Sequence, residues 1–323
     1  MKAIVCTKYG PPEVLQLKEV EKPTPKNNEV LIKIRATAVT ASDCIIRGFK
    51  IPVRHWFPKG LMMELMMRFV VGFTKPRNPI LGLVLAGDIE SIGKDVKRFK
   101  KGDQVYGFTG FGFGAYAEYT CMREKESTRG CLAMKPTTIS YEEAAAVSYG
   151  GILATHYVKK GNIQNGQKVL IYGASGAIGA TAVQLAKYFG AEVTGVCSTT
   201  NLELVKSLGA DKVIDYTKED SINRGEFYDF ILDAVGKNKS SKLKVQCKKS
   251  LSQNGKYISV DDGSPKLRSE YLVLLKELIE EGHVKPIIDC RYPLEQIVEA
   301  HKYVDKGHKK GNVVITLEHN NKT

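Results

Sequence analysis

A glycine-rich turn between a predicted strand and a predicted helix limits the possible folds of this chain more than any other feature. The sequence KVLIYGASGAIG occupies positions 168–179, and a helical pattern follows over 180–189. Read from Ala174, the turn has the spacing A-x-G-x-x-G, in which Ala174 supplies the small residue that a tight turn needs. Gly176 lets the backbone approach a pyrophosphate, and Gly179 permits close packing of helix against strand. The start of the helix is therefore a predicted phosphate-binding site.

Strand and helix patterns alternate around this turn. The apolar runs that predict strands are separated by helical stretches and lie at 168–172, 192–197, 212–215, 230–235 and 256–260. This alternation is typical of a doubly wound parallel sheet, the Rossmann-type α/β fold. A glycine turn alone could join any strand to any helix, but here a second strand also ends about twenty residues later, as a dinucleotide site requires. We predict dinucleotide binding through Ala174, Ser175, Gly176, Ala177, Ile178 and Gly179.

The loop after the second strand favours one dinucleotide over the other. An NAD site usually has Asp or Glu at the end of this strand, where the carboxylate binds the ribose 2′-hydroxyl. Here the strand runs into the sequence STTN at 198–201, whose hydroxyls and amide can donate hydrogen bonds to a 2′-phosphate. We therefore predict that Ser198, Thr199 and Asn201 select NADPH over NADH, although the loop contains no arginine or lysine.

The amino-terminal region has a different pattern, with short predicted strands separated by proline and glycine up to about Ser140. A β-rich amino-terminal domain fits this spacing.

The chain has 323 residues, 43% of them hydrophobic, which suffices for two domains. Its net charge of +13 is scattered in short pairs, which makes a nucleic-acid partner unlikely. Seven irregularly spaced cysteines, with no signal-peptide or membrane-spanning pattern, predict a cytoplasmic protein that does not act at a membrane.

Ordered motifs along nearly the whole chain resemble the medium-chain dehydrogenase/reductase superfamily, in its zinc-free quinone-oxidoreductase-like branch. The motifs are EVLIK at 29–33, VTASD at 39–43, PILGLVLAG at 79–87, FKKGDQVYG at 99–107, GAYAEY at 114–119, GASGAIG at 173–179, LGADKVIDY at 208–216 and LDAVG at 232–236. The resemblance implies a GroES-like β-rich domain over 1–123 and 270–323, and a Rossmann domain over 124–269. It also implies a homodimer.

Zinc members of this family place two catalytic metal ligands where Thr40 and Leu83 stand and a third near Tyr149, and these side chains do not form a Zn²⁺ ligand set. Without a Lewis acid, quinones and α,β-unsaturated carbonyls are the best substrates, because they delocalise the incoming charge onto an oxygen that hydrogen-bond donors can stabilise. We expect metal-independent, NADPH-dependent reduction of a quinone or enone, with Thr40 and Tyr149 as catalytic donors. Packing at a domain seam is an equal alternative for Tyr149, and Asp43 is expected to hold the local backbone.

The resemblance also implies cofactor contacts at Tyr216, Ala234, Val235, Ser259, Val260 and Asn312. Two departures from the family leave a second function open: Val84 stands where many relatives have an acidic residue, and Leu153 stands where they have threonine. With these changes the chain could bind NADPH as a structural or sensing ligand without catalysis. Zinc-type alcohol dehydrogenase activity is the remaining alternative.

A methionine- and phenylalanine-rich segment at 51–73 lies outside these motifs. Its helical spacing predicts packing in the core or between domains. Its place between the Thr40 and Gly82 segments suits an adaptable apolar lid over a flat substrate equally well. Membrane association is a third alternative, which lacks a clean charged face.

Overall fold

The computed structural model describes residues 1–49, 59–218, 226–236, 241–262, 265 and 268–319. These residues form strands and helices in the following order. The strands are β1 Lys2–Cys6, β2 Leu15–Glu19, β3 Glu29–Val39, β4 Val84–Ile92, β5 Gln104–Phe108, β6 Tyr119–Arg123, β7 Cys131–Met134, β8 Lys168–Tyr172, β9 Glu192–Cys197, β10 Lys212–Asp215, β11 Tyr228–Asp233, β12 Leu251–Ser259, β13 Ile288–Pro293 and β14 Asn312–Thr316. The helices are α1 Ala41–Gly48, α2 Lys59–Val71, α3 Tyr141–Gly161, α4 Ala177–Tyr188, α5 Leu202–Ser207, α6 Lys242–Lys249, α7 Ser269–Glu280 and α8 Ile297–Asp305.

The chain divides into two compact units. Unit 1 comprises Met1–Tyr149 and Ile288–Thr323, and unit 2 comprises Gly150–Ile287. The first unit is discontinuous, but its boundaries lie further along the chain than the predicted 123/124 and 269/270. The physical reason is strand pairing: β7 joins β5 in the sheet of unit 1, and the return to this sheet begins only with β13, after α7.

Unit 1 is built on a mixed sheet in the order β13-β14-β3-β4-β5-β7, in which β6 also pairs with β3. The long strand β3 organises it, because residues 29–33 pair with β6 and residues 36–39 pair with β14. The carboxyl-terminal strand β14 therefore closes a sheet begun by the first part of the chain. This is the GroES-like β-rich unit that the resemblance implies.

Unit 2 contains the predicted doubly wound sheet, with five parallel strands in the order β10-β9-β8-β11-β12. Strand β8 is central, and the chain leaves it toward β9 on one side and returns to β11 on the other. Ligands bind at such a reversal of strand order, outside the carboxyl ends of the strands. The glycine-rich turn follows β8 and so lies at this edge of the sheet.

Part of the methionine-rich segment lies outside the described residues, including Trp56. Its helix α2 exposes a row of apolar side chains, with exposed fractions of 40–65%, at Leu65, Met66, Phe69 and Val70, and Phe73 just beyond the helix is 52% exposed. Core packing is therefore wrong for these five residues. No helix in the described part of the chain is long and apolar enough to cross a membrane.

Candidate active site

The glycine-rich turn of unit 2 packs α4 tightly onto β8. Gly173 has φ +85°, in the left-handed region that favours glycine, and its N–H donates to the Val196 carbonyl at 3.0 Å. A Cβ on Gly179 would lie 2.1 Å from the Gly173 carbonyl oxygen, so only glycine fits there. Ala174 is fully buried and its N–H also donates to Val196. The left-handed backbone of the turn thus lies at Gly173, and Ala174 next to it is a small, fully buried residue. Contact of Ala174 with the cofactor stays a prediction.

The start of α4 fits a pyrophosphate. Gly176 is the N-cap residue, with extended backbone and no side-chain hydrogen bond capping the helix. The first helical hydrogen bond runs from the Ala180 N–H to the Gly176 carbonyl, so the N–H groups of residues 177–179 precede the helical ladder. A Cβ on Gly176 would meet only the Gly173 carbonyl oxygen, at 3.5 Å, so space remains on the outer side of the turn. The residues that adjoin Gly176 in the sequence are Ser175, Ala177 and Ile178, which are also predicted cofactor contacts.

The loop after β9 is held together from inside by Asn201. This side chain is only 6% exposed, and its Nδ2 donates to Ser175 Oγ at 3.0 Å and Ser198 Oγ at 3.2 Å. The amide nitrogen of Asn201 is thus used within the protein. A role of Asn201 in binding the 2′-phosphate stays a prediction. Asn201 joins the glycine-rich turn to the end of β9 and holds two hydroxyls beside each other.

Thr199 is also engaged by a neighbour, Asp215 at the end of β10. Thr199 Oγ1 donates to Asp215 Oδ2 at 2.5 Å, and the Thr217 N–H and hydroxyl donate to Asp215 Oδ1 at 3.0 and 2.6 Å. These hydrogen bonds lower the pKa of Asp215, so the carboxyl group is ionised at neutral pH. The Thr199 proton is directed at this carboxylate. The predicted role of Thr199 at the 2′-phosphate stays a prediction.

The remaining predicted cofactor contacts differ in what they offer. Ser259 is fully buried and its Oγ donates to Asp233 Oδ2 at 3.2 Å. Its contact with the cofactor stays a prediction. Ala234 and Val235 are partly buried in the turn after β11. Tyr216 is 40% exposed, next to Asp215. Two further residues stay predictions: Val260, whose carbonyl accepts from Tyr157, and Asn312, which lies on β14 in unit 1.

Sequence reasoning missed a buried ion pair under the turn after β11. Asp233 and Lys244 have side chains only 1% and 9% exposed, and Asp233 Oδ2 lies 2.7 Å from Lys244 Nζ. Asp233 Oδ1 accepts the Val235 and Gly236 N–H groups at 3.2 Å each. The pair fixes the backbone of residues 234–236 at the ligand-binding edge of the sheet. The LDAVG motif at 232–236 contains Asp233, but nothing in the motif indicates that Lys244 is its partner.

In unit 1, Thr40 caps helix α1. Its Oγ1 accepts the Asp43 N–H at 3.2 Å and donates to Asp43 Oδ2 at 2.6 Å, while the Thr40 N–H donates to the same carboxyl oxygen. This is a capping box. The hydroxyl proton of Thr40 is directed at Asp43. The role of Thr40 as a catalytic donor stays a prediction. Asp43 holds the local backbone.

Tyr149 and Ser42 form a pair of neighbouring hydroxyl groups in unit 1. Tyr149 Oη lies 2.7 Å from Ser42 Oγ, and the tyrosine ring stacks on Phe108 with a centroid distance of 5.4 Å. Burial raises the pKa of Tyr149, so the phenol keeps its proton at neutral pH. Ser42 was not predicted from the sequence. It follows the Thr40 cap by two residues, which places it on the first turn of α1.

Asp43 gives unit 1 a pH-dependent stability. Burial raises the pKa of Asp43 to about 7. The folded protein therefore holds this proton more tightly than the unfolded chain, so the contribution of Asp43 to stability is present below about pH 4 and is lost as pH rises through 7. We expect the free energy of unfolding of the wild type to fall more than that of Asp43→Asn between pH 4.5 and 7.5.

Urea unfolding at three pH values in this range checks the expectation. Asp95→Asn, which removes an exposed carboxylate from the same unit, is the control and should follow the wild-type profile. Parallel profiles for the wild type and Asp43→Asn would show that the buried carboxyl group does not govern this pH dependence.

The described residues do not fit a catalytic zinc ion. No group of three or more His, Cys, Asp or Glu side chains among them could hold a metal. At the three positions where the family resemblance places ligands, Thr40 is bonded to Asp43 and Tyr149 to Ser42, and Leu83 is buried.

Comparisons with known proteins agree with the two units. Residues 26–132 match the family model of the alcohol dehydrogenase GroES-like domain, and residues 177–271 and 263–315 match models of zinc-binding dehydrogenases. The chain is 33% identical to the 2-methylene-furan-3-one reductase of Solanum lycopersicum, over 98% of this chain and 79% of that protein. It is 30% identical, with the same coverages, to the chloroplastic NADPH-dependent alkenal/one oxidoreductase of Arabidopsis thaliana. The quinone oxidoreductase structure from Coxiella burnetii superposes with a TM-score of 0.83 at 26% identity, covering 98% and 99% of the two chains.

The GroES-like unit, the Rossmann unit with its glycine-rich turn, and the relatives together define an oxidoreductase that uses a nicotinamide cofactor. The chain belongs to the medium-chain dehydrogenase/reductase superfamily, in its quinone-oxidoreductase-like branch. One of the relatives above is chloroplastic, so family membership does not define a cellular compartment.

Proposed function

We propose that the protein catalyses NADPH-dependent, metal-independent reduction of a quinone or an α,β-unsaturated carbonyl. The observation that carries the proposal is the hydroxyl pair of Ser42 and Tyr149, 2.7 Å apart and partly buried beside Phe108. Such a pair can stabilise the negative charge that develops on a conjugated carbonyl oxygen. The names of relatives that reduce enones, alkenals and quinones support this substrate class.

NADPH would be held by unit 2. The N–H groups at the start of α4 would bind the pyrophosphate, and Ser175 and Ser198, held by Asn201, would face the phosphorylated ribose. When bound, NADPH supplies a hydride to the conjugated carbon of the substrate. Tyr149 donates a hydrogen bond to the substrate oxygen, and Ser42 donates to Tyr149, so the phenol becomes a stronger donor as charge develops. A proton from the solvent then completes the reduction, so that the hydride brings the two electrons and one hydrogen and the solvent brings the other hydrogen.

A direct assay tests this proposal. Purified protein is mixed with NADPH and a panel of quinones, enones and saturated ketones, and the absorbance of the reduced nicotinamide is followed. We expect NADPH oxidation with the conjugated substrates and none with the saturated ketones, because a ketone alkoxide needs a Lewis acid or a strong general acid, and the raised pKa of Tyr149 makes it a weak acid. Binding of NADPH without turnover on any substrate would favour a non-catalytic protein. Stoichiometric zinc in the active preparation would contradict metal independence.

A further inference from the structure

A carboxylate lies close to the place where NAD-binding Rossmann folds carry their ribose-binding acidic residue, but on a different strand. The NAD fingerprint places it at the end of the second strand, β9, which lacks it. In the parallel register of the sheet, however, Asp215 at the end of β10 lies directly beside Cys197, the last residue of β9. Its Oδ2 reaches Thr199, two residues beyond that strand end, at 2.5 Å. A negative charge therefore stands one strand away from the position of the fingerprint.

We propose that Asp215 sets the choice between NADPH and NADH, by placing its charge beside the ribose site and by holding the Thr199 and Thr217 hydroxyls away from a 2′-phosphate. The inference rests on the proposed function, since it needs a dinucleotide on the glycine-rich turn. The Asp215 carboxylate repels the negatively charged 2′-phosphate of NADPH, whereas it does not repel the neutral 2′-hydroxyl of NADH. Asp215 therefore reduces the preference for NADPH that the Ser175 and Ser198 hydroxyls would give.

The geometry makes this effect local. Two hydroxyls and one N–H group donate to the Asp215 carboxyl group, which holds its oxygens in place. Asp211 precedes the same strand and lies at the opposite edge of the sheet, about 13 Å away at the usual rise per residue. Its Oδ2 pairs with Lys187 at 2.8 Å. Asp211→Asn therefore removes the same charge from the same strand without changing the ligand-binding edge.

Equilibrium binding measured by dinucleotide fluorescence tests the inference without catalysis. We expect Asp215→Asn to raise the ratio of NADPH affinity to NADH affinity by about tenfold, because one like charge near the phosphate is removed. The control Asp211→Asn should leave the ratio within about twofold of the wild type, since its charge is beyond the Debye length at physiological salt. Displacement of the bound dinucleotide by 2′,5′-ADP and by 5′-AMP should show the same change in affinity ratio for Asp215→Asn and none for Asp211→Asn.

The outcomes separate this inference from the proposed function. A wild type that binds neither dinucleotide overturns both. A wild type that binds both, with an unchanged affinity ratio in Asp215→Asn, overturns only the role of Asp215. Should the variant fail to fold, the wild type still decides: a preference for 2′,5′-ADP over 5′-AMP above about 100-fold would contradict a repelling carboxylate at this site.

Discussion

Tyr149→Phe is expected to lower kcat for a quinone or enone by about 100-fold, the usual cost of losing one donor to a developing oxyanion. The variant keeps the ring that stacks on Phe108 and loses only the hydroxyl that lies 2.7 Å from Ser42. Cofactor affinity should not change, because the glycine-rich turn is built from residues of unit 2. Ser42→Ala should cost less, about fivefold, since the phenol can still donate without its partner.

Tyr141→Phe is a matched control on the same helix. Its hydroxyl donates to Asp88, away from the Ser42 pair, so the variant should retain the wild-type kcat. Steady-state kinetics of the three variants and NADPH titrations complete the experiment. A Tyr149→Phe enzyme with more than half of the wild-type kcat would show that Tyr149 is a packed aromatic, which the sequence left as an equal alternative.

The fold was largely predictable, because its determinants are repeated along the chain. Five apolar runs alternating with helical patterns fix a parallel sheet, and each run became a strand of unit 2. The sequence predicted that the helix after the turn begins at residue 180, but α4 begins three residues earlier, at Ala177. Its N-cap residue is Gly176, so the helix boundary lies within the glycine motif and not after it.

The hydrogen bonds of the site were less predictable, because short polar side chains bond to whichever partner the backbone brings near. The hydrogen bonds between Thr40 and Asp43 could have been predicted, since T-x-x-D is a capping-box spacing that is visible in the sequence. The hydrogen bond between Thr199 and Asp215 could not, because Asp215 lies on another strand and only the register of β9 and β10 brings the two residues together. For the same reason the buried pair of Asp233 and Lys244 has no local signature.

Gly179→Ala is expected to destabilise unit 2 by about 3 kcal/mol, although alanine is normally the better residue in a helix by about 1 kcal/mol. The reversal of sign follows from packing. The new Cβ would lie 2.1 Å from the Gly173 carbonyl oxygen and 2.9 Å from the Ala174 Cα, which are backbone atoms that cannot rotate away. The helix must move off β8, which separates the N–H groups of residues 177–179 from the turn that positions them.

Gly176→Ala is the matched control, three residues earlier in the same turn. Its Cβ would meet only the Gly173 carbonyl oxygen, at an ordinary contact distance of 3.5 Å, and the backbone of Gly176 is extended. Its stability should stay within about 1 kcal/mol of the wild type. Thermal unfolding of both variants should show a fall in Tm of roughly 6–12 °C for Gly179→Ala only. Equal Tm values for the two variants would mean that the helix can shift at little cost, and the glycine would then be needed for ligand binding rather than for the close packing of α4 on β8.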